Sequence, residues 1–462
     1  MALNKDLTRG SVFKHVVQFA IPLLFSNLFQ MLYNVIDMYF VGRYVSTAGQ
    51  AAVTVSGPIM LMLVSAVLGM AMAVTVLIGQ HQGRGDTEGI KSIASTANGF
   101  FLIVSLVITV LGLLICRPLL MLMNTPPEVL PMAIQFLSII FTGTIFMTGY
   151  NLIGAYQRGL GDSKSAMYFI IVSVVANIVL DYLFIRWFKM GVAGAAWATV
   201  IAQGVAFVMG VIYFRRNDHI IRFNKKSFAI NKFYLKQIVK IGLPSSLQQT
   251  LLAVSFSVFN GLINGYGAAA SAAYGIGSRI DSFAILPAQA LGLSVSSVAA
   301  QNLGVKNYDR AKKATINGMF LAGVTSLVMT VLIYVFAKSI VMFFNTDPAV
   351  VATGTMYLHT IPIMYIPFGV MWTAGGVVLA SGKTMYTLFV SLFSQYIVRI
   401  PAAIIFSEVL GFGIHGIYYA MILGPFVGLI ANVAFLISGK WKNSKILVAS
   451  KLMGEYEELE KV

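Results

Sequence analysis

Residues 51–79 read AAVTVSGPIMLMLVSAVLGMAMAVTVLIG, with no charged side chain from end to end. A helix rises about 1.5 Å per residue, so about 20 apolar residues cross the hydrocarbon core of a bilayer. This run is long enough to span as a helix and far too long for a barrel strand of about 9–11 residues. Working outward, similar runs occupy 15–42, 93–115, 132–157, 166–187 and 191–213, then 238–265, 271–299, 315–337, 353–380, 385–407 and 412–437. In lipid, only helices and closed barrels satisfy their own backbone hydrogen bonds. The sequence therefore predicts an all-α integral membrane protein of twelve transmembrane helices.

Composition agrees. Hydrophobic residues make up 58% of the 462 and charged residues only 10%, against roughly 25% charged in a soluble domain. The net charge of +16 raises the question of nucleic acid, but the basic residues sit in short loops between apolar runs, so no nucleic-acid partner is expected. The single cysteine, Cys116, excludes an internal disulfide. The polar, basic start and the length of the first apolar run argue against a cleavable signal peptide. Neither metal-ligand spacing, nor a P-loop, nor a nucleophile with its base is evident. The expectation is a protein that is not an enzyme, with no metal, no cofactor and no direct use of ATP.

Lys and Arg orient the spans. With the loops numbered alternately, about 25 of the 32 basic residues fall on the side of the N-terminus. The other side holds Arg43, Arg117, Arg186, Lys189 and Lys338. Both termini are thus expected in the cytoplasm, with the chain in the cell's inner (plasma) membrane and its basic loops against anionic lipid.

The two halves resemble each other at a shift of about 221 residues. LIGQHQGRGD (77–86) aligns with VAAQNLGVKN (298–307), MNTPPEV (123–129) with FNTDPAV (344–350), and AIPLLFSN (20–27) with GLPSSLQQ (242–249). The expected organisation is an N-terminal lobe (1–214), a basic linker (215–237), a C-terminal lobe (238–440) and a charged tail (441–462). Six spans per half leave the halves in the same orientation, and transporters built from parallel repeats bind their cargo near the midplane.

Ionisable groups at membrane depth are costly and mark function by default. The first span carries Asn27, Gln30, Asn34 and Asp37, a polar stripe along one helix face. The fifth carries Ser173, Asn177 and Asp181 at steps of four, and the sixth carries Thr199. Through the repeat, Asp37 corresponds to Phe259, Asn177 to Tyr396, Asp181 to Ile400 or Ala403, and Thr199 to Met421. The carboxylates are therefore not required by the shared scaffold and belong to a task of the N-terminal half alone. Two carboxylates with amide and hydroxyl oxygens suit a proton or a small hard cation such as sodium. The second half offers Arg279 and Asp281 on the eighth span, and Gln395 and Arg399 on the eleventh. These are candidates for lining a C-lobe cleft, and pairing between helices is the ordinary way to keep such charges buried.

The segments YNVIDMYFVGR (33–43), GYNLIGAYQRGLGDSK (149–164), ANIVLDYLFI (176–185), GVAGAAWATVIAQ (191–203) and LPAQALGLSVSSVAAQNLG (286–304) resemble the multidrug and toxic compound extrusion (MATE) family. The resemblance covers residues 10–440. It implies two six-helix lobes around a V-shaped central cleft, and export of organic cations and drugs by antiport against inward proton or sodium flow. It places the coupling site at Asp37, Asn177, Asp181 and Thr199, with Tyr33, Asn34 and Asn151 in the supporting polar cluster and Pro22 at a bend of the first helix. The seventh and tenth spans, LQQTLLAVSFSVFNGL (247–262) and FGVMWTAGGVVLASG (368–382), carry no acid, which points to the DinF-like branch. The fold needs no partner chain, so a monomer is expected. Three readings compete with a drug antiporter: a flippase for lipid-linked saccharide, which would use Arg279 and Arg399; a membrane-embedded enzyme; and a channel.

Overall fold

The computed structural model describes residues 6–216, 220–221, 223 and 225–443. The charged tail beyond 443 and His219 lie outside the described residues. The chain is helical almost throughout: α1 (Val12–Tyr44), α2 (Thr47–Arg84), α3 (Thr87–Leu122), α4 (Leu130–Thr142), α5 (Thr144–Gly159), α6 (Ser163–Asp181) and α7 (Val192–Arg216). The repeat follows as α8 (Lys232–Asn264), α9 (Ala268–Gly304), α10 (Tyr308–Phe344), α11 (Pro348–Thr360), α12 (Tyr365–Ala380), α13 (Thr384–Leu392), α14 (Ile400–Ile404) and α15 (Ile414–Ile437).

Among the described residues, ten helical stretches are long and apolar enough to cross a membrane, and the bent pair α4 and α5 makes an eleventh. The remaining span of the sequence reading is α8. It is 33 residues long, and its polar run PSSLQQT (244–250) lowers its hydropathy. The outward faces of α3 and α10 stay apolar: Leu106, Val110 and Leu114, and Phe320, Leu327 and Val335, are all exposed. Water would not tolerate such continuous apolar faces, whereas lipid matches them.

Four spans differ from unbroken α-helices. The fourth breaks at Gly143, between α4 and α5, with a bend of 50°. Val200 of α7 lies so close that any Cβ at 143 would collide with it, so the break brings the backbone hard against α7. The tenth passes through a 3-10 turn, Ile361–Met364, containing Pro362. The eleventh is interrupted by π-helical stretches at Phe393–Arg399 and Ile405–Val409, and the fifth ends in one at Tyr182–Trp187. Proline removes a helix donor, and a π-turn inserts one residue into the ladder. Hydropathy does not register either change.

The described residues fall into two compact units. One takes Phe25–Gly242, the other Asp6–Leu24 together with Leu243 onward. Each unit therefore exchanges the start of its first helix. Helix α1 changes unit two residues after Pro22, and α8 changes unit two residues before Pro244.

In the second unit the start of α1 is firmly held. Val12, Val16, Phe19 and Leu23 bury against Leu291, Val295 and Val298 of α9. Ahead of the helix, Leu7 donates its backbone N–H to Gln301 at 3.0 Å. Arg310 donates to the Gly10 carbonyl at 2.9 Å, and Asn302 donates to the Leu7 carbonyl at 3.2 Å. The first unit holds the start of α8 in the same manner: Asn98 donates to the Ser227 carbonyl at 3.0 Å, and the Asn231 N–H donates to Thr96 at 3.0 Å. Small residues allow backbones to meet. A Cβ on Gly376 of α12 would stand 2.7 Å from the Gly292 carbonyl of α9, the close approach that dispersion-driven helix association in lipid requires.

Candidate functional site

Within the first unit, α1, α6 and α7 bring a set of polar side chains together. Helical steps of four put Ser173, Asn177 and Asp181 on one face of α6, and all three are buried, Asp181 completely. Asp37 projects from α1, half-buried, and its carboxyl lies beside that of Asp181. Two carboxylates side by side in a dry site cannot both stay ionised without cost, so the pair suits a shared proton or a bound cation. Oriented with its nitrogen toward Asp181, the Asn177 amide donates to Asp181 Oδ2 at 3.0 Å and accepts from the Thr199 backbone N–H at 3.3 Å. The Tyr33 and Thr199 hydroxyls meet at 3.0 Å, tying α1 to α7. The Oδ1 atoms of Asp37 and Asp181 are buried without a hydrogen-bond partner. Oxygens in that state suit a proton or a small hard cation.

Two other residues of the expected cluster lie outside this hydrogen-bonded set. Asn151 donates to the Met147 carbonyl of its own helix at 2.8 Å, and Asn34 is exposed on α1. Tyr150 was not singled out by the sequence, yet it accepts from Gln30 of the polar stripe at 3.4 Å. Pro22 is buried inside the continuous helix α1.

The second unit treats its charges differently. Arg279 is exposed, while Asp281, two residues on, faces inward. Its carboxylate accepts from the hydroxyls of Tyr357 and Tyr365, each at 2.5 Å. Arg399 is buried; it donates to Gln395 Oε1 at 2.7 Å and stands over the ring of Phe259, 4.2 Å from its centre. Among the described residues, Arg279, Asp281 and Arg399 form no ion pair with one another. Tyrosine hydroxyls and aromatic faces stand where the sequence reading expected pairing between helices. Tyr357 and Tyr365 were missed in the sequence. Their signal was a spacing of eight, which keeps two side chains on roughly one helix face.

A loop between α2 and α3 holds a separate contact that the sequence did not reveal. The fully buried ring of His81 meets Asp86 through Nδ1 at 2.7 Å. Asp86 also caps α3 by accepting from the Gly89 N–H at 2.8 Å.

The comparisons with known proteins agree with this architecture. The family model described as MatE matches once in each half, at residues 22–183 and 244–405. The chain is 33% identical over 458 residues to the probable multidrug resistance protein YpnP of Bacillus subtilis (strain 168), covering 96% of this chain and 98% of that protein. It is 25% identical to the multidrug export protein MepA of Staphylococcus aureus (strain MRSA252), covering 93% and 94%. Among solved structures, an outward-facing multidrug resistance MATE family transporter of the MOP superfamily matches with a TM-score of 0.88 at 23% identity, over 96% of this chain and 98% of that one. A MOP superfamily transporter from Pyrococcus furiosus matches with a TM-score of 0.88 at 24% identity, over 94% and 97%. At such identities the structural likeness establishes the fold. The doubled family match, together with a relative one-third identical over nearly the full length, shows that this multi-pass membrane protein belongs to the MatE family.

Proposed function

We propose that this chain is a secondary active multidrug exporter of the inner (plasma) membrane with both termini in the cytoplasm. It moves organic cations outward against inward flow of protons or sodium, by alternating access. Asp37 and Asp181 carry the coupling ion, Asn177 and Thr199 support them, and Tyr33 ties the arrangement to α7. The observation that carries the reading is the pairing of two acids, Asp37 of α1 and the fully buried Asp181 of α6, with their Oδ1 atoms buried and without a hydrogen-bond partner.

The chemistry of the pair supplies the coupling. With both carboxyls ionised, the pair carries two adjacent negative charges. At about 4 Å and an effective dielectric of about 20, such charges repel by roughly 4 kcal/mol. The pair must then part or take up a cation. Asp37 sits on α1 and Asp181 on α6, so ion occupancy bears on the position of α1. An ion exchanged on one side of the membrane and replaced on the other thereby drives the helix between two arrangements, as alternating access requires. The relatives' names, a probable multidrug resistance protein and a multidrug export protein, supply the cargo class.

One proton inward for one monovalent organic cation outward moves no net charge. The pH difference would then drive export, and the membrane potential would not. The test is ethidium efflux from proteoliposomes under an imposed pH gradient, with sodium absent and then present. Efflux on the pH gradient alone establishes drug/proton antiport. Efflux only with a sodium gradient makes the same cluster a sodium site. No efflux under either gradient rejects drug antiport and favours flipping of a lipid-linked saccharide.

A further inference from the structure

The two units repeat the same helices, so their helix junctions can be compared. In the first unit, Asp181 lies where α6 meets α1 and α7, with Asp37 from α1 and, through Asn177, Thr199 of α7. The corresponding junction of the second unit joins α8, the interrupted helix from α13 to residue 409, and α15. There the repeat puts Phe259 in the place of Asp37 and Met421 in the place of Thr199. Arg399 occupies this junction. Its guanidinium carbon stands 4.2 Å from the Phe259 ring centre and 5.8 Å from that of Phe256, both on α8. Its aliphatic stem lies along α15 at Gly424, where a Cβ would come within 2.9 Å of Arg399 Cδ.

Arg399 is 4% exposed. No carboxylate lies within ion-pair distance among the described residues, and its Nε is buried without an acceptor. A full charge at membrane depth without a direct counterion is costly, and such charges persist where they have a task. An arginine does not release its proton at any physiological pH, so Arg399 cannot be a carrier of exchangeable protons. The faces of two phenylalanines stabilise it through their quadrupoles. The junction that holds two adjacent acids in one unit thus holds a permanent, tethered cation over aromatic rings in the other.

We propose that Arg399 is a built-in cation at the second unit's counterpart of the coupling site. It excludes a coupling ion from that unit and limits each transport cycle to the ion bound by the first. The inference rests on the reading of Asp37 and Asp181 as the coupling site. It adds that the one-sided coupling is enforced by charge: the junction that has acids in the first unit has in the second a cation that cannot leave.

The experiment uses the full-length chain in proteoliposomes, with ethidium efflux read against the concentration of the coupling ion and against an imposed potassium diffusion potential. The wild type is expected to show a Hill coefficient of about one and no response to the potential. Phe259→Asp with Arg399→Asn restores an acid and an amide to the junction and is expected to raise the coefficient toward two and to make efflux respond to the potential. Export by this double variant with wild-type ion order and no response to the potential would overturn the proposal. Arg399→Ala provides an independent reading should the double variant not fold. Its efflux is expected to fall about tenfold or more and to recover with millimolar ethylguanidinium but not with ethylurea, which has a similar shape and no charge. Equal recovery with both, or wild-type efflux from Arg399→Ala alone, would show that charge at this position is immaterial and overturn the proposal. Asp37→Asn is run in parallel: coupled efflux surviving in that variant refutes the coupling site itself, whatever the Arg399 variants do.

Discussion

The hydroxyls of Tyr33 and Thr199 lie 3.0 Å apart, and the direction of their hydrogen bond is fixed. Thr199 has one hydroxyl proton and gives it to the Ala195 carbonyl at 3.0 Å, so Tyr33 is the donor. The two deletions should therefore differ. Tyr33→Phe leaves Thr199 still bonded to its helix and costs about 1 kcal/mol, whereas Thr199→Ala strands the Tyr33 hydroxyl at a cost of about 1–3 kcal/mol. Thermal unfolding of the purified protein in detergent should show the larger loss for Thr199→Ala. The opposite order would mean that the hydrogen bond runs the other way.

Gly416 and Gly194 occupy matching places at the starts of α15 and α7, but their clearances differ. A Cβ at 416 would lie 2.5 Å from the Ser407 backbone nitrogen, whereas at 194 the closest backbone atom, the Phe184 carbonyl carbon, is 3.1 Å away. Backbone cannot swing aside as a side chain can. Gly416→Ala should thus destabilise by at least the roughly 1–3 kcal/mol typical of overpacking, and Gly194→Ala by less. Comparing the thermal midpoints of the two variants checks this ranking.

Arg310 bonds the Gly10 carbonyl at 2.9 Å and orients Asn302 at 3.2 Å, so it holds the segment ahead of α1 from two directions. Arg310→Met should release that segment while leaving α10 intact, since its cap comes from Asn307. Hydrogen exchange should then accelerate at residues 7–10, where Leu7 currently donates to Gln301. Unchanged protection there would mean that Gln301 and Asn302 suffice.

Asp86 lies between α2 and α3, outside the spans. Burial favours its neutral form, but the Gly89 N–H and the His81 ring outweigh that effect and hold its carboxyl below the usual 3.8. A depressed carboxyl contributes stability above its unfolded value and loses it as the pH falls through its folded one. The contribution of Asp86 should thus be complete above about pH 4 and disappear on further acidification. Asp86→Asn keeps a capping oxygen and removes the titration. Its stability should fall less than that of the wild type between pH 5 and pH 3, which thermal melts across that range would reveal.

Much of this architecture was legible in the sequence because lipid imposes a severe filter. The runs at 51–79 and 93–115 could be little other than helices, and 238–265, now α8, still read as a span although its PSSLQQT stretch weakens its hydropathy signal. The face shared by Asn177 and Asp181 followed from helical spacing. The break at Gly143 was hidden because it depends on Val200, far away in the chain. The π-turns near Arg399 were hidden because inserting a residue into a helix leaves no mark on composition. The environments of Asp281 and Arg399 were likewise set by tyrosines and phenylalanines that sequence reading assigns to packing. Asn34 shares a stripe with Asp37 in sequence, yet stays exposed while Tyr33 makes the contact to α7.

The central claim is that Asp37 and Asp181 together hold the ion that drives export. It is tested most directly by measuring ion uptake and ethidium efflux in the same proteoliposomes for the wild type and for Asp37→Asn. The wild type should move both in fixed proportion, while Asp37→Asn binds ethidium but moves neither against a gradient. Wild-type coupled efflux from Asp37→Asn would contradict it.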